Sequence, residues 1–124
     1  MGEGAKILVV DDDHALAGFL TELLNNFGYQ VTTMNDSRQA LEHYTRSGDR
    51  FDLVISDQTM PGLTGVELAT EILKHNPNQA IILCTGYSDQ VDAERAHQLG
   101  IKSFLNKPVE TRLLISEVEH LIKG

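Results

Sequence analysis

The sequence predicts an α/β fold, an open sheet of five parallel strands with five helices packed on both faces, and three observations predict it. Short apolar runs alternate with stretches of helical periodicity along the chain. Four of the five runs are nearly continuous in apolar residues, as strands covered on both faces must be. A helical stretch separates each run from the next, which is the spacing of right-handed parallel crossovers and not of hairpins.

The elements follow in order. Ile7-Leu8-Val9-Val10 is the first strand. The helix after it carries Leu16, Phe19, Leu20, Leu23, Leu24 and Phe27 at helical spacing; Asp13 is placed to cap its start and Gly28 to stop it. Gln30-Val31-Thr32-Thr33-Met34 alternates more than the other runs, so it belongs at a sheet edge. A shorter helix holds Ala40, Leu41 and Tyr44 and ends near Ser47-Gly48. Leu53-Val54-Ile55 is the third strand, running out to Asp57 before the break at Pro61-Gly62. Thr64-Gly65-Val66-Glu67 has capping-box spacing and opens a helix expected to bury Val66, Ala69, Ile72 and Leu73. Ala80-Ile81-Ile82-Leu83-Cys84 is the fourth strand. The helix expected at 88–99 offers only Val91, Ala93, Ala96 and Leu99 as an apolar face. Ser103-Phe104-Leu105 is the fifth strand, and Leu113, Leu114, Val118, Leu121 and Ile122 line the last helix. For five such strands the expected arrangement is the doubly wound, flavodoxin-like order 2-1-3-4-5.

The 124 residues suffice for one compact domain, read as residues 5–124; residues 1–4 carry no pattern and read as a disordered tail or a cloning remnant. A net charge of −8 argues against direct nucleic-acid binding, which needs clustered Lys and Arg. Cys84, the only cysteine, excludes an internal disulfide, fits a reducing compartment and sits in an apolar run where it packs rather than reacts. No apolar stretch approaches the roughly 18 residues of a membrane helix, so a cytoplasmic domain without membrane contact is expected. His14, His43, His75, His97 and His120 are scattered over the helices and read as surface or boundary residues. Neither a P-loop nor a dinucleotide fingerprint is present.

Ligands of such folds bind beyond the carboxyl ends of the strands, at the switch point between strands one and three. Those ends carry Asp11-Asp12-Asp13, Asp57, Thr85 and Lys107. Singly each has an ordinary reading, as a cap, a turn residue or a solvated charge; their joint placement is the signal. Two carboxylates about 4 Å apart repel by roughly 4 kcal/mol at an effective dielectric near 20, so the edge calls for a cation or a proton. Oxygen ligands suit Mg²⁺ or Mn²⁺ rather than Zn²⁺, and Asp11, Asp12 and Asp57 could supply them. Asp57 could then attack phosphorus, with Thr85 donating a hydrogen bond to the phosphoryl group and Lys107 an ion pair.

These residues closely resemble the receiver domain of two-component response regulators. The resemblance covers almost the whole chain and rests on four separated motifs in order: "ILVVDDD" from Ile7, "LVISDQTMPGLTG" from Leu53, "CTG" from Cys84 and "FLNKP" from Phe104. It implies a phosphoacceptor signalling domain that catalyses only its own phosphorylation and dephosphorylation. Asp57 would take phosphate from a histidine kinase or a histidine phosphotransfer protein. Asp12 would hold Mg²⁺, with Asp11 acting through water and the Thr59 backbone carbonyl as a further ligand. Thr85 would be the switch hydroxyl and Lys107 the family's lysine, joined to Pro108 by a cis bond. Phe104 stands at the switch aromatic and lacks a phenolic hydroxyl. Thr59 and Tyr87 occupy the positions that tune phosphate lifetime, and Tyr87 would shield Asp57 from water. The output face would be the fourth helix, fifth strand and fifth helix, with a fourth helix of two populations because its apolar face is small. "IILCTGYSD" and "GIKSFLNKPV" look most like receivers of hybrid sensor kinases, which would make this the cytoplasmic part of a membrane-bound protein. Two rival readings are an Mg²⁺-dependent phosphohydrolase with an aspartyl nucleophile and a flavodoxin-like interaction module that is never phosphorylated. Thr59 argues against the hydrolase, which wants an acid two residues after the nucleophile.

Overall fold

The computed structural model describes residues 4–48, 50–86 and 93–123. Strands β1 (Lys6–Val10), β2 (Gln30–Met34), β3 (Leu53–Asp57), β4 (Ile81–Thr85) and β5 (Ser103–Asn106) form one parallel sheet in the order β2-β1-β3-β4-β5. Helices α1 (His14–Asn26), α2 (Ser37–Arg46), α3 (Gly65–His75), α4 (Ala93–Leu99) and α5 (Thr111–Lys123) alternate with them. This is the doubly wound, flavodoxin-like arrangement expected from the sequence.

Successive strand residues point to opposite faces, and the sheet splits the apolar residues into two cores accordingly. Leu8, Val10, Val54 and Leu83 pack in one core with Tyr44 of α2 and Leu68 and Ile72 of α3. Ile7, Val9, Ile55 and Cys84 pack in the other with Leu20 and Leu24 of α1 and Leu114 and Val118 of α5. Strands β3 and β4 are buried throughout, whereas β2 is nowhere fully buried, as its alternating sequence and edge position require.

Local chemistry sets the helix ends. Asp13 caps α1 by accepting from the Ala15 and Leu16 amides at 3.0 and 3.2 Å, and Gly28 follows at φ 92°. Asp36 caps α2 in the same way. Thr64 and Glu67 form the capping box of α3. At Gly65, the first residue of that helix, a Cβ would lie 2.4 Å from Leu83 Cδ1 and 2.5 Å from the Asp57 carbonyl oxygen, so only glycine lets α3 start so close to β3.

The burial of the helices departs from the expected stripes in several places. Phe19 of α1 and Leu113 of α5 are about half exposed, at 52% and 49%. Val66 is only half-buried, while Leu68 and Ile115 are buried; the stripe of α3 that meets the sheet is Gly65, Leu68, Ala69, Ile72 and Leu73. Among the described side chains of α4 only Ala96 is buried and Leu99 is exposed; Val91 and the expected start of that helix at Ser88 lie outside the described residues. Gly4 is held by a hydrogen bond from its amide to the Gly28 carbonyl, at 3.0 Å, although it was expected in a patternless tail. All five histidines are exposed or half-buried.

Candidate functional site

Parallel pairing brings the carboxyl ends of β1, β3, β4 and β5 to one edge, with Asp57 opposite Cys84 and Thr85 opposite Asn106 in register. Asp11 and Asp57 are buried, at 3% and 5% exposure, and Asp12 is exposed. One carboxylate oxygen from each of the three lies within 4.8 Å of the others. The Lys107 ammonium is in contact with Asp57 Oδ1, and Lys107 precedes Pro108 through a cis peptide bond. That contact is an ion pair; no well-directed hydrogen bond from the described residues reaches the buried Asp57 Oδ1.

The electrostatics of the edge are uneven. Burial pushes the Asp11 carboxyl up from 3.8 to about 6; the Asp13 amide, donating at 2.9 Å, pulls it down, and the charge of Asp57 raises it further. Burial works against the Lys107 ammonium, but contact with Asp57 and the charges of Asp57 and Asp11 outweigh it, so Lys107 is held above the ordinary lysine range. Two of the three acids therefore lack solvent, and one lysine balances them incompletely. An oxygen-ligating divalent cation fits this donor set, because it would neutralise what the protein leaves charged.

Around this centre, Thr85 is buried and its hydroxyl donates to Asn106 Oδ1 at 3.2 Å. Phe104 is half-buried, and its ring meets that of His97 on α4 at 6.1 Å. Thr59 is exposed, two residues beyond Asp57. Tyr87, expected to shield the site, lies outside the described residues. The Cys84 thiol is buried and pushed up to about 12 by desolvation first and the Asp57 charge second, so it is inert packing.

Four residues that the sequence reading passed over also shape the edge. Gln58 receives the amides of Gly65 and Val66, on its backbone and side-chain oxygens respectively, each at 2.9 Å. Asn106 holds Thr85. Asn35 Nδ2 donates to the Asp11 carbonyl at 2.9 Å. Ser37 Oγ donates to the Pro61 carbonyl at 3.0 Å and accepts from the Leu63 amide at 2.9 Å. The only sequence signal was the polar triplet Asn35-Asp36-Ser37 at the end of β2, where one cap residue was needed and three polar residues stand.

A fold and edge of this kind suit a phosphoryl-accepting signalling module, and comparison with known proteins places the chain. The family model for the response regulator receiver domain matches residues 7–119. The chemotaxis protein CheY of Thermotoga maritima is 30% identical over 121 residues, covering 97% of this chain and 99% of that protein. The transcriptional regulatory protein GlrR of Escherichia coli is 35% identical over 119 residues, 96% of this chain but only 26% of that protein. For FixJ of Bradyrhizobium diazoefficiens the identity is 36%, over 94% of this chain and 56% of the relative. The chain thus spans between a quarter and just over half of these longer regulators and nearly all of CheY. The crystal structure of a response regulator receiver domain protein from Clostridium thermocellum superposes with a TM-score of 0.90 at 34% identity, covering 96% of this chain and 94% of that one. The chain belongs to the response regulator receiver domain family. It is a two-component signalling module rather than an enzyme with a turned-over substrate, and its family implies a histidine kinase or phosphotransfer partner.

Proposed function

We propose that this domain accepts a phosphoryl group from a phosphohistidine onto Asp57. The observation that carries the reading is a buried carboxylate, paired with Lys107, where two further acids converge. In the transfer an Asp57 oxygen forms the new P–O bond in line as the donor's P–N bond breaks, and the electron pair stays on the imidazole, which takes a proton from solvent. Lys107 is placed to pair with a phosphoryl oxygen, and Thr85 can turn its hydroxyl from Asn106 to another. Asp12, Asp57 and the Thr59 carbonyl would hold Mg²⁺ or Mn²⁺, with Asp11 behind them through water. When bound, the cation supplies charge neutralisation that lets an anionic phosphoryl group approach three carboxylates. Thr59 and Tyr87 set the lifetime of the acyl phosphate.

The donor protein would dock where α1 and α5 flank the site. A groove of about 290 Å³ lined by Leu16, Phe19, Leu20, Pro108 and Val109 leads to Lys107, and exposed Phe19 beside it offers an apolar handhold next to the chemistry. The phosphorylated edge would act on α4, β5 and α5 through Thr85 and Phe104. A cytoplasmic setting suits the single reduced cysteine, and no helix among the described residues is long and apolar enough to cross a membrane.

Acetyl phosphate with Mg²⁺ tests the reading. The domain should gain one acid-labile phosphoryl group, and Asp57→Ala should gain none. Repeated turnover of substrate would indicate the phosphohydrolase, and no labelling the passive interaction module. Hydrogen exchange with and without beryllofluoride tests the output face, where equal protection over residues 93–106 in both states would refute a shift there.

A further inference from the structure

We infer that the segment joining β2 to α2 is a positioning strut for the acidic site: Asn35 and Ser37 hold the acid loop and the β3–α3 loop at a fixed separation and thereby set divalent-cation affinity. The inference rests on the reading of Asp11, Asp12 and Asp57 as a cation-dependent phosphoacceptor site.

The bonds of these two side chains are not spent on their own helix. Asp36 already caps α2, accepting from the Arg38 and Gln39 amides at 2.9 and 3.0 Å. Ser37, only 1% exposed, instead reaches a loop 24 to 26 residues away, where it donates to the Pro61 carbonyl and accepts from the Leu63 amide. One hydroxyl therefore brackets the turn at Gly62, which sits at φ 82° and against which Ser37 and Arg38 pack so closely that a Cβ there would lie 3.3 Å from Ser37 Oγ and 3.1 Å from Arg38 Nε. Two residues earlier, Asn35 donates to the Asp11 carbonyl, beside the Asp11 amide that donates to the Met34 carbonyl at 3.1 Å. Two neighbouring side chains thus tie down the loops on either side of the cation ligands. Both side chains are neutral and their hydrogen bonds go to the backbone of the two loops, so the effect inferred for each is on ligand spacing and not on the charge of the site. Ligand spacing is what a small divalent cation tests most severely, because Mg²⁺ demands near-ideal octahedral oxygens.

Mn²⁺ titration of the metal-free domain, followed by the electron paramagnetic resonance of the free ion, reads this directly. Asn35→Ala and Ser37→Ala should each weaken Mn²⁺ binding by about tenfold, the scale on which partners behind metal ligands act. Because either break frees the spacing, the double variant should bind little worse than the weaker single one. With acetyl phosphate, both should raise the Mg²⁺ concentration for half-maximal rate while leaving the rate at saturating Mg²⁺ within about twofold of wild type. Thr45→Ala, which removes a hydroxyl bonded within α2 to the Leu41 carbonyl, is the control for generic loosening of that helix and should leave Mn²⁺ affinity unchanged. Wild-type affinity in folded Asn35→Ala would overturn the inference while leaving the site reading intact, and this half-buried position keeps the test decisive should Ser37→Ala not fold. Failure of the wild-type domain to bind Mn²⁺ would overturn both.

Discussion

The two ends of the sheet handle buried polar groups in opposite ways. At the amino end, Tyr44 donates to Gln79 Oε1 at 2.5 Å, Gln79 Nε2 donates to the Ala80 carbonyl at 3.1 Å, and the Tyr44 ring stacks on Phe51 at 6.3 Å. These neutral groups satisfy one another. At the carboxyl end, Asp11 and Asp57 are as deeply buried, yet they are crowded acids against which the described residues set one cation, Lys107. The amino end also borders the larger hollow, about 580 Å³ beside Tyr44, Phe51, His75 and Gln79, against about 290 Å³ near Lys107. Volume therefore points to the wrong end of this molecule. Residual charge points to the right one, because a group the protein leaves uncompensated is one that a ligand can satisfy.

Substitutions at each end can break that contrast. The largest effect is expected from Asp57→Ala, which should reduce labelling by acetyl phosphate to background, whereas Gln79→Leu at the other end should leave labelling intact; mass spectrometry of both decides it. Next comes Asp11. Its folded pKa, about 6, lies above the ordinary 3.8, so the protonated form favours the fold; that contribution is complete below about pH 4 and lost as pH rises through about 6. Metal-free protein should thus lose roughly 2 to 3 kcal/mol of stability across this window, and Asp11→Asn should flatten the loss. Urea unfolding at several pH values measures it, and saturating Mg²⁺ should favour wild type over the variant. Tyr44→Phe should cost about 1 to 2 kcal/mol by stranding Gln79 Oε1, without changing the phosphorylation rate. The smallest stability change, within about 0.5 kcal/mol, is expected of Phe19→Ala. It should slow transfer from a phosphorylated donor protein while leaving transfer from acetyl phosphate unaltered, a split that separates docking from chemistry.

Much of this was legible in the sequence because strand ends and caps are local. The apolar runs stop at Ile55 and Cys84, within two residues of where β3 and β4 end at Asp57 and Thr85; the capping box at Thr64 and the cap at Asp13 each announce a helix within four residues. Stripe membership was less legible. Val66 and Leu68 are both apolar on one helix, and only the approach of α3 at Gly65 decides that Leu68 faces Ile72 and the sheet. Asn35 and Ser37 were illegible for a different reason. A hydroxyl or amide engaged 24 residues away leaves no periodic trace, and beside a cap residue such as Asp36 nothing in the sequence sets either apart.

The start of α3 has one mechanical consequence. Because Gly65 seats the helix on the Asp57 carbonyl, strand and helix behave as one stiff wall, with Gln58 riveting two of its amides. The facing wall is built around α4, where among the described side chains only Ala96 is buried. A charge added at Asp57 thus has a close-packed wall on one side and a thinly buried one on the other. That inequality of packing is the direction the proposed output through α4, β5 and α5 would follow.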